Sequence, residues 1–281
     1  MEQKILKIAA KIALSDVERN DSAVVNEDHV AVVTDVSRDT TACVRVYWPE
    51  TFGRIRSKLR ITAPEVTEEL NEGPFVESNL AREYDADCYF SARERIVFRS
   101  LSSDELAIFR DNFHDFAAHI LEQGETFLPL TLALFKIETS AKLRTKSCYF
   151  LATRSVFPRQ KHDYIFFLDL KGCPTRSRDS GLFLKDADVT WEHELAFSSR
   201  ERAHILDSLR SDVNFLQNQN MTNYSLVVVI TQRHLDSLME GPDDTTVEIG
   251  NQGTLKQRHD RVSCLANLLP KPTFGTDHPE W

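Results

Sequence analysis

Met221-Thr222-Asn223-Tyr224-Ser225-Leu226-Val227-Val228-Val229-Ile230 ends in a continuous β-branched apolar run, the mark of a fully buried strand. Upstream, Ile165–Leu170 reads as another strand and runs directly into Lys171-Gly172. Between the two, Ser198-x-x-Glu201 forms a capping box that opens a helix. Its apolar face is expected at Ile205, Leu206, Leu209, Val213 and Leu216. Residues 171–190 read as loop, and 154–164, with Pro158, as the connection between two lobes.

The N-terminal half has its own pattern. Ser102-Ser103-Asp104-Glu105 is a second capping box, with Leu101 placed to staple to Leu106. Leu106, Phe109, Phe113, Phe116 and Ile120 then recur at helical spacing and define one buried face. Before that helix, 84–100 reads as two strands around the turn Ala92-Arg93-Glu94; after it, 127–137 and 147–153 read as strands. Phe52, Ile55 and Leu59 space out a helix made basic by Arg54, Arg56, Lys58 and Arg60, read as a solvated face or a membrane contact. Residues 1–40 read as polar with strand-like patches near Val30–Val36, and 62–80 as an acidic loop around Gly73-Pro74. The tail after Gly241 reads as irregular.

The chain has 281 residues and a net charge of −9, which makes a long polyanion such as nucleic acid an unfavourable partner. No apolar run reaches membrane-spanning length, and the N-terminus has no apolar leader. The cysteines, 43, 88, 148, 173 and 264, are dispersed without CxxC pairing, as in a cytoplasmic protein with reduced thiols. His114 and His119 lie five apart on one helix, a poor metal spacing, and Trp191-Glu192-His193-Glu194 reads as a polar turn. No G-x-S-x-G, P-loop or zinc pattern occurs.

Several blocks in register resemble the phosphatidylinositol-phosphate kinase family over about residues 44–231. Asp169-Leu170-Lys171-Gly172 matches its Asp-Leu-Lys-Gly motif, and Leu184-Lys185-Asp186 a downstream Leu-Lys-Asp. Asp212-x-x-Phe215-Leu216 and Tyr224-Ser225-Leu226 match the run into its catalytic loop, usually Met-Asp-Tyr-Ser-Leu-Leu. Val46–Phe52, Thr126-Phe127-Leu128-Pro129 and Cys148–Pro158 are similar to its aromatic-Pro segment, its Leu-Leu-Pro strand and its Val-Phe-Pro strand end. The resemblance implies an α+β, two-lobed kinase-like fold with antiparallel sheets: an N-terminal lobe over 1–153 and a truncated C-terminal lobe over 154–281.

The resemblance also implies a site. Phosphoryl transfer from ATP needs cations around the phosphates, a carboxylate-held Mg²⁺ and a group that orients the attacking hydroxyl. Lys171 is the cation that points into the nucleotide site, and Arg99 stands where the family has its strand lysine. That change keeps the charge but not the geometry; alternatively, Arg99 pairs with Glu105 or another helix acid. Asp169 and Asn223 complete the catalytic set, Asn223 replacing the catalytic Asp. An amide cannot accept a proton and binds Mg²⁺ more weakly than a carboxylate. Counting back to the phosphate-covering loop lands on Tyr84-Asp85-Ala86-Asp87, and no glycine occurs from Pro74 to Ile120. Glu248 is the nearest candidate for a second metal acid, with Asp260 weaker.

Three functions therefore stay open. The chain is a lipid kinase of weak or lost activity, a pseudokinase that regulates by binding nucleotide or headgroup, or an interaction module. Expected partners are a phosphoinositide headgroup at a membrane surface, through Arg154, Arg159, Lys161, Arg176 and Arg178, and another kinase or a second copy.

Overall fold

A computed structural model describes residues 3–15, 24–26, 29–37, 40–77, 86–93, 95–123, 125–141, 144–155, 164–170, 183–188, 197–221, 224 and 226–231. The chain divides into two units: Met1–Gln123 with Leu130–Ser155, and Gly124–Pro129 with Val156–Trp281. The class is α+β.

Unit 1 is built on an eight-stranded sheet. In chain order its strands are β1 Val24–Asn26, β2 His29–Ser37, β3 Thr40–Tyr47, β4 Val76–Glu77, β5 Cys88–Phe90, β6 Ile96–Leu101, β7 Thr131–Ala141 and β8 Arg144–Arg154. The spatial order is β1-β2-β3-β7-β8-β6-β5-β4, and every pairing is antiparallel. Side chains alternate between faces. Val44, Val46, Ile96, Phe98, Phe135, Ile137, Phe150 and Ala152 belong to one buried cluster. Helices α1 (Gln3–Leu14) and α3 (Ala63–Asn71) add Leu6, Ala9, Ala10, Ala13, Val66 and Leu70 to it.

Both helices correct the reading of 1–40 and 62–80 as polar patches and loop. The apolar positions 5, 6, 9, 10, 13 and 14 of α1 fall on one helical face. Helix α3 starts at a complete Thr62–Glu65 capping box with proline in its first turn, where a missing N–H costs nothing. Its acidic residues hold the β5–β6 turn: buried Glu69 accepts from Ser91 Oγ and from the amides of Arg93 (3.2 Å) and Arg95 (3.3 Å). Glu68 and Glu72 pair with Arg93.

Helices α2 (Pro49–Lys58) and α4 (Ser103–Glu122) pack together, with Phe113 stacked on Trp48 at 4.0 Å and meeting Phe52 at 4.9 Å. The predicted face of α4 is the observed one, and its Ser102–Glu105 box is complete. The basic series on α2 is partly internal. Arg56 is buried and donates to Leu132 O (2.9 Å). Lys58 donates to the carbonyls of Ile120 (2.8 Å), Leu121 (2.9 Å) and Gln123 at the C-terminal end of α4, where a cation also complements the helix dipole. Arg54 and Arg60 are exposed.

Unit 2 carries a three-stranded sheet ordered β10-β9-β11: β9 Tyr164–Leu170, β10 Phe183–Lys185 and β11 Leu226–Thr231. β11 runs antiparallel to β9, while β10 adds the one parallel pair among the described strands. Leu168 and Val228 are buried together, with Leu170, Leu184 and Leu226 packed against them. Helix α5 (Ser199–Asn218) starts at the predicted Ser198–Glu201 box. Its buried face matches the expected stripe only in part: Leu216 is buried as expected, but Ser208, Asp212 and Phe215 are buried with it and Leu206 is exposed. The reason is polar docking. Asp212 accepts from Thr126 Oγ1 (2.7 Å) and Phe127 N (2.6 Å), within the short segment that unit 2 draws from between α4 and β7.

Candidate active-site elements

Arg99 lies in the middle of β6, flanked across the sheet by Cys88 on β5 and Leu151 on β8. Val97, Arg99 and Leu101 share the face opposite Ile96 and Phe98. Its guanidinium Nη1 donates to Glu105 Oε1 at 2.8 Å, so the ion pair foreseen as an alternative role is present. Glu105 uses its other oxygen to accept from Ser102 N (2.8 Å). One carboxylate thus both caps α4 and holds the strand cation. Protein kinases pair a strand lysine with a helix glutamate in a comparable way.

The Glu105 carboxyl is pulled two ways. Burial pushes its pKa up, but the Arg99 charge, the Arg99 hydrogen bond and the Ser102 contacts outweigh it and hold the group below its usual value of 4.5. Its stabilising contribution is therefore complete above that value and is lost as pH falls through the lowered folded value. Glu105→Gln is expected to cost about 2 kcal/mol near neutral pH, as a charged hydrogen-bonded pair and a cap are weakened together. In urea titrations the gap from wild type should narrow as the pH is lowered below 4.5; a gap independent of pH would contradict the pair.

Beside Arg99, burial raises the Cys88 thiol to about 11, an effect the Arg99 charge only partly offsets. A thiol so protonated is a poor nucleophile. Iodoacetamide applied to the folded protein near neutral pH is expected to leave Cys88 unmodified, with modification appearing in urea. Peptide mass spectrometry reads the outcome, and rapid native labelling would contradict the burial.

In unit 2, Asp169 sits on β9 between Lys185 of β10 and Val227 of β11. It is half-buried, and its Oδ1 is sealed from solvent without a hydrogen-bond partner among the described residues. The next pair along the strands is Leu170 with Leu226. The Asp-Leu-Lys-Gly block and the Tyr-Ser-Leu block therefore meet at one end of one strand pair. Helix α5 leads into the second block through a Schellman turn: Asn220 N donates to Gln217 O, Met221 N to Leu216 O, and Asn220 takes φ 53°. Leu216 and Met221 are both buried at that turn. Lys171, Asn223 and Glu248 themselves lie outside the described residues, as do Asp260, Arg159, Lys161, Arg176 and Arg178.

Among the described residues no group of three or more His, Cys, Asp or Glu side chains could hold a metal ion. Mg²⁺, however, commonly takes one or two carboxylates and completes its shell with water and substrate phosphates. The unpartnered Oδ1 of Asp169 fits one such ligand position.

A model of the family described as Phosphatidylinositol-4-phosphate 5-Kinase matches residues 83–267. The chain belongs to this family. Phosphatidylinositol 5-phosphate 4-kinase type-2 alpha of Sus scrofa is 24% identical over 193 residues, which is 66% of this chain and 46% of that protein. The type-2 gamma enzyme of Homo sapiens is 24% identical over 192 residues, covering 66% and 44%. A probable phosphatidylinositol phosphate kinase of Dictyostelium discoideum is 22% identical over 163 residues, covering 55% and 22%. The chain spans less than half the length of each of these three relatives.

Sequence reasoning named Asp212 as part of a motif but gave it no task. Nothing local to Asp212 points to Thr126, 86 residues away. Among the described residues no helix is long and apolar enough to cross a membrane.

Proposed function

We propose that this chain binds ATP with Mg²⁺ and a phosphoinositide headgroup, and that its transfer of phosphate to the inositol lipid is weak or lost. The observation that carries this reading is Asn223 in the place of the family's catalytic Asp. An amide can still orient a hydroxyl, but it takes no proton and adds no charge to a metal shell.

The rest of the apparatus supports binding. Arg99 is held by Glu105 through one of a guanidinium's five donors, so the cation is fixed in place rather than used up. Lys171 supplies the second cation directly after β9. Mg²⁺, with Asp169 as a ligand, would neutralise phosphate charge. A cytoplasmic protein that meets membranes only peripherally accords with the acidic net charge. The second reading is a regulator or scaffold without transfer, docking on another kinase or on a second copy. It is favoured by Asp85 and Asp87 in a glycine-free stretch where phosphates would otherwise be cradled.

Thermal unfolding with ATP, with and without Mg²⁺, separates these readings, because a ligand that binds only the folded state raises the midpoint. The expected result is a Mg²⁺-dependent rise together with little label transfer to phosphoinositide vesicles. No rise would leave the scaffold alone; fast transfer by the wild-type chain would end the claim of impaired chemistry.

A further inference from the structure

We propose that Asp212 is a positioning residue for the 221–226 block, acting from the far side of α5 through a clasp on Thr126 and Phe127. The proposal rests on the reading above, that this block faces the ligand.

The clasp has defined chemistry. The Asp212 side chain is 97% removed from solvent, with a relative exposure of 3%, and its two oxygens take different donors. Oδ1 accepts the Thr126 hydroxyl at 2.7 Å and Oδ2 the Phe127 amide at 2.6 Å. Thr126 Oγ1 in turn accepts from Leu128 N at 3.1 Å, so the hydroxyl is oriented from both sides. Eight residues earlier, His204 meets Glu125 at 2.5 Å. Positions 204, 208 and 212 fall on one helical stripe, and Ser208 between the two anchors is buried. The segment 125–128 is thus laid along α5 and held at both ends.

What the clasp fixes lies one turn further on. Leu216, four residues after Asp212, supplies the carbonyl that accepts Met221 N in the Schellman turn. Leu216 and Met221 are the apolar pair that closes such a turn. Phe215 and Leu216, on the turn after Asp212, are buried too, so the clasp and the last turn of α5 belong to one docked face. The direction in which the chain leaves α5 at Met221 is set there. An asparagine at 212 would offer one acceptor and turn an N–H toward the second donor, so it satisfies only half of the clasp.

The test uses the full chain and four proteins: wild type, Asp212→Asn, Thr126→Val and Thr126→Ser. Amide hydrogen exchange at Asn220 and Met221 is expected to quicken by about tenfold in the first two variants, with β9 of the same unit unchanged and Thr126→Ser like wild type. ATP–Mg²⁺ affinity, measured well below each unfolding midpoint, should fall about tenfold in the same two variants and be restored in Thr126→Ser. Unchanged exchange at Asn220 and Met221 overturns the proposal whether or not ATP binds. Faster exchange throughout β9 also overturns it, because the role would then be general stability of the unit. So does faster local exchange with undiminished ATP affinity. If the wild-type chain binds no ATP, the proposed function falls and the exchange measurement alone decides the clasp.

Discussion

Phe98→Ala is expected to remove about 3–5 kcal/mol of stability. Phe98 lies on β6, between β5 and β8, and is fully buried. Its ring stacks on Phe75 at 4.9 Å and meets Phe135 edge-on at 6.4 Å; Phe135 in turn stacks on Phe150. Truncation therefore loses transfer free energy and leaves a cavity bordered by the Phe75 and Phe135 rings, with Phe150 backing Phe135, so the neighbours can fill it only in part. Against a typical total of about 5–15 kcal/mol, that is roughly a fifth or more of the whole. Urea unfolding followed by circular dichroism and by tryptophan fluorescence measures it. Val33→Ala is the control: Val33 is 67% exposed, and its change should stay within about 0.5 kcal/mol. A loss below about 1 kcal/mol for Phe98→Ala would mean that the aromatic cluster is not packed as described.

The elements that could be read from the chain were those with strong local signals. Helix α4 announces itself by a capping box and five apolar positions at helical spacing, and the structure needs nothing else to build it. The β5–β6 turn and strands β8, β9 and β11 were legible in the same way, with ends displaced by a few residues. Helix α3 carried an equally good signal in Thr62 and Glu65. It was hidden because four glutamates between 65 and 72 look like a solvated loop, when two of them are spent on Arg93 and one on the β5–β6 turn. The face of α5 was misjudged for the opposite reason. Hydrophobic spacing favoured Leu206, but the surface that docks is polar, and only the distant Thr126 explains why Asp212 is inside. The pairing of β10 with β9 had no local signal, since three residues carry too little pattern.

The candidate site divides along the same line. The Arg99–Glu105 pair spans six residues and could be anticipated from sequence as one of two options. That Asp169 comes to lie beside Val227 depends on strand register, which emerges only when β9 and β11 pair. Register also explains why two motifs far apart in the chain can serve one site: Leu170 opposite Leu226 brings the ends of both blocks together without any side-chain contact being required.

Asn223→Asp is expected to raise phosphate transfer from ATP to phosphoinositide vesicles by about 10²-fold. The argument is one of charge and proton affinity at a single position. On the proposed function, an asparagine there would offer the attacking hydroxyl a hydrogen-bond partner but no base, and would add no charge to a metal shell. A carboxylate restores both in a side chain of nearly the same shape, and the β9–β11 pairing that carries the block begins only at Leu226, beyond the change. Adding Arg99→Lys should give a smaller further gain. The ammonium keeps the charge and the partner Glu105, but presents a compact cation where the planar fork now sits. Initial rates for wild type, the single variant and the double variant, each with the lipid product confirmed by mass spectrometry, decide the matter. If neither variant transfers more phosphate than wild type while both bind ATP, position 223 does not limit the reaction, and the reading of this chain as a kinase impaired at its catalytic residue is wrong.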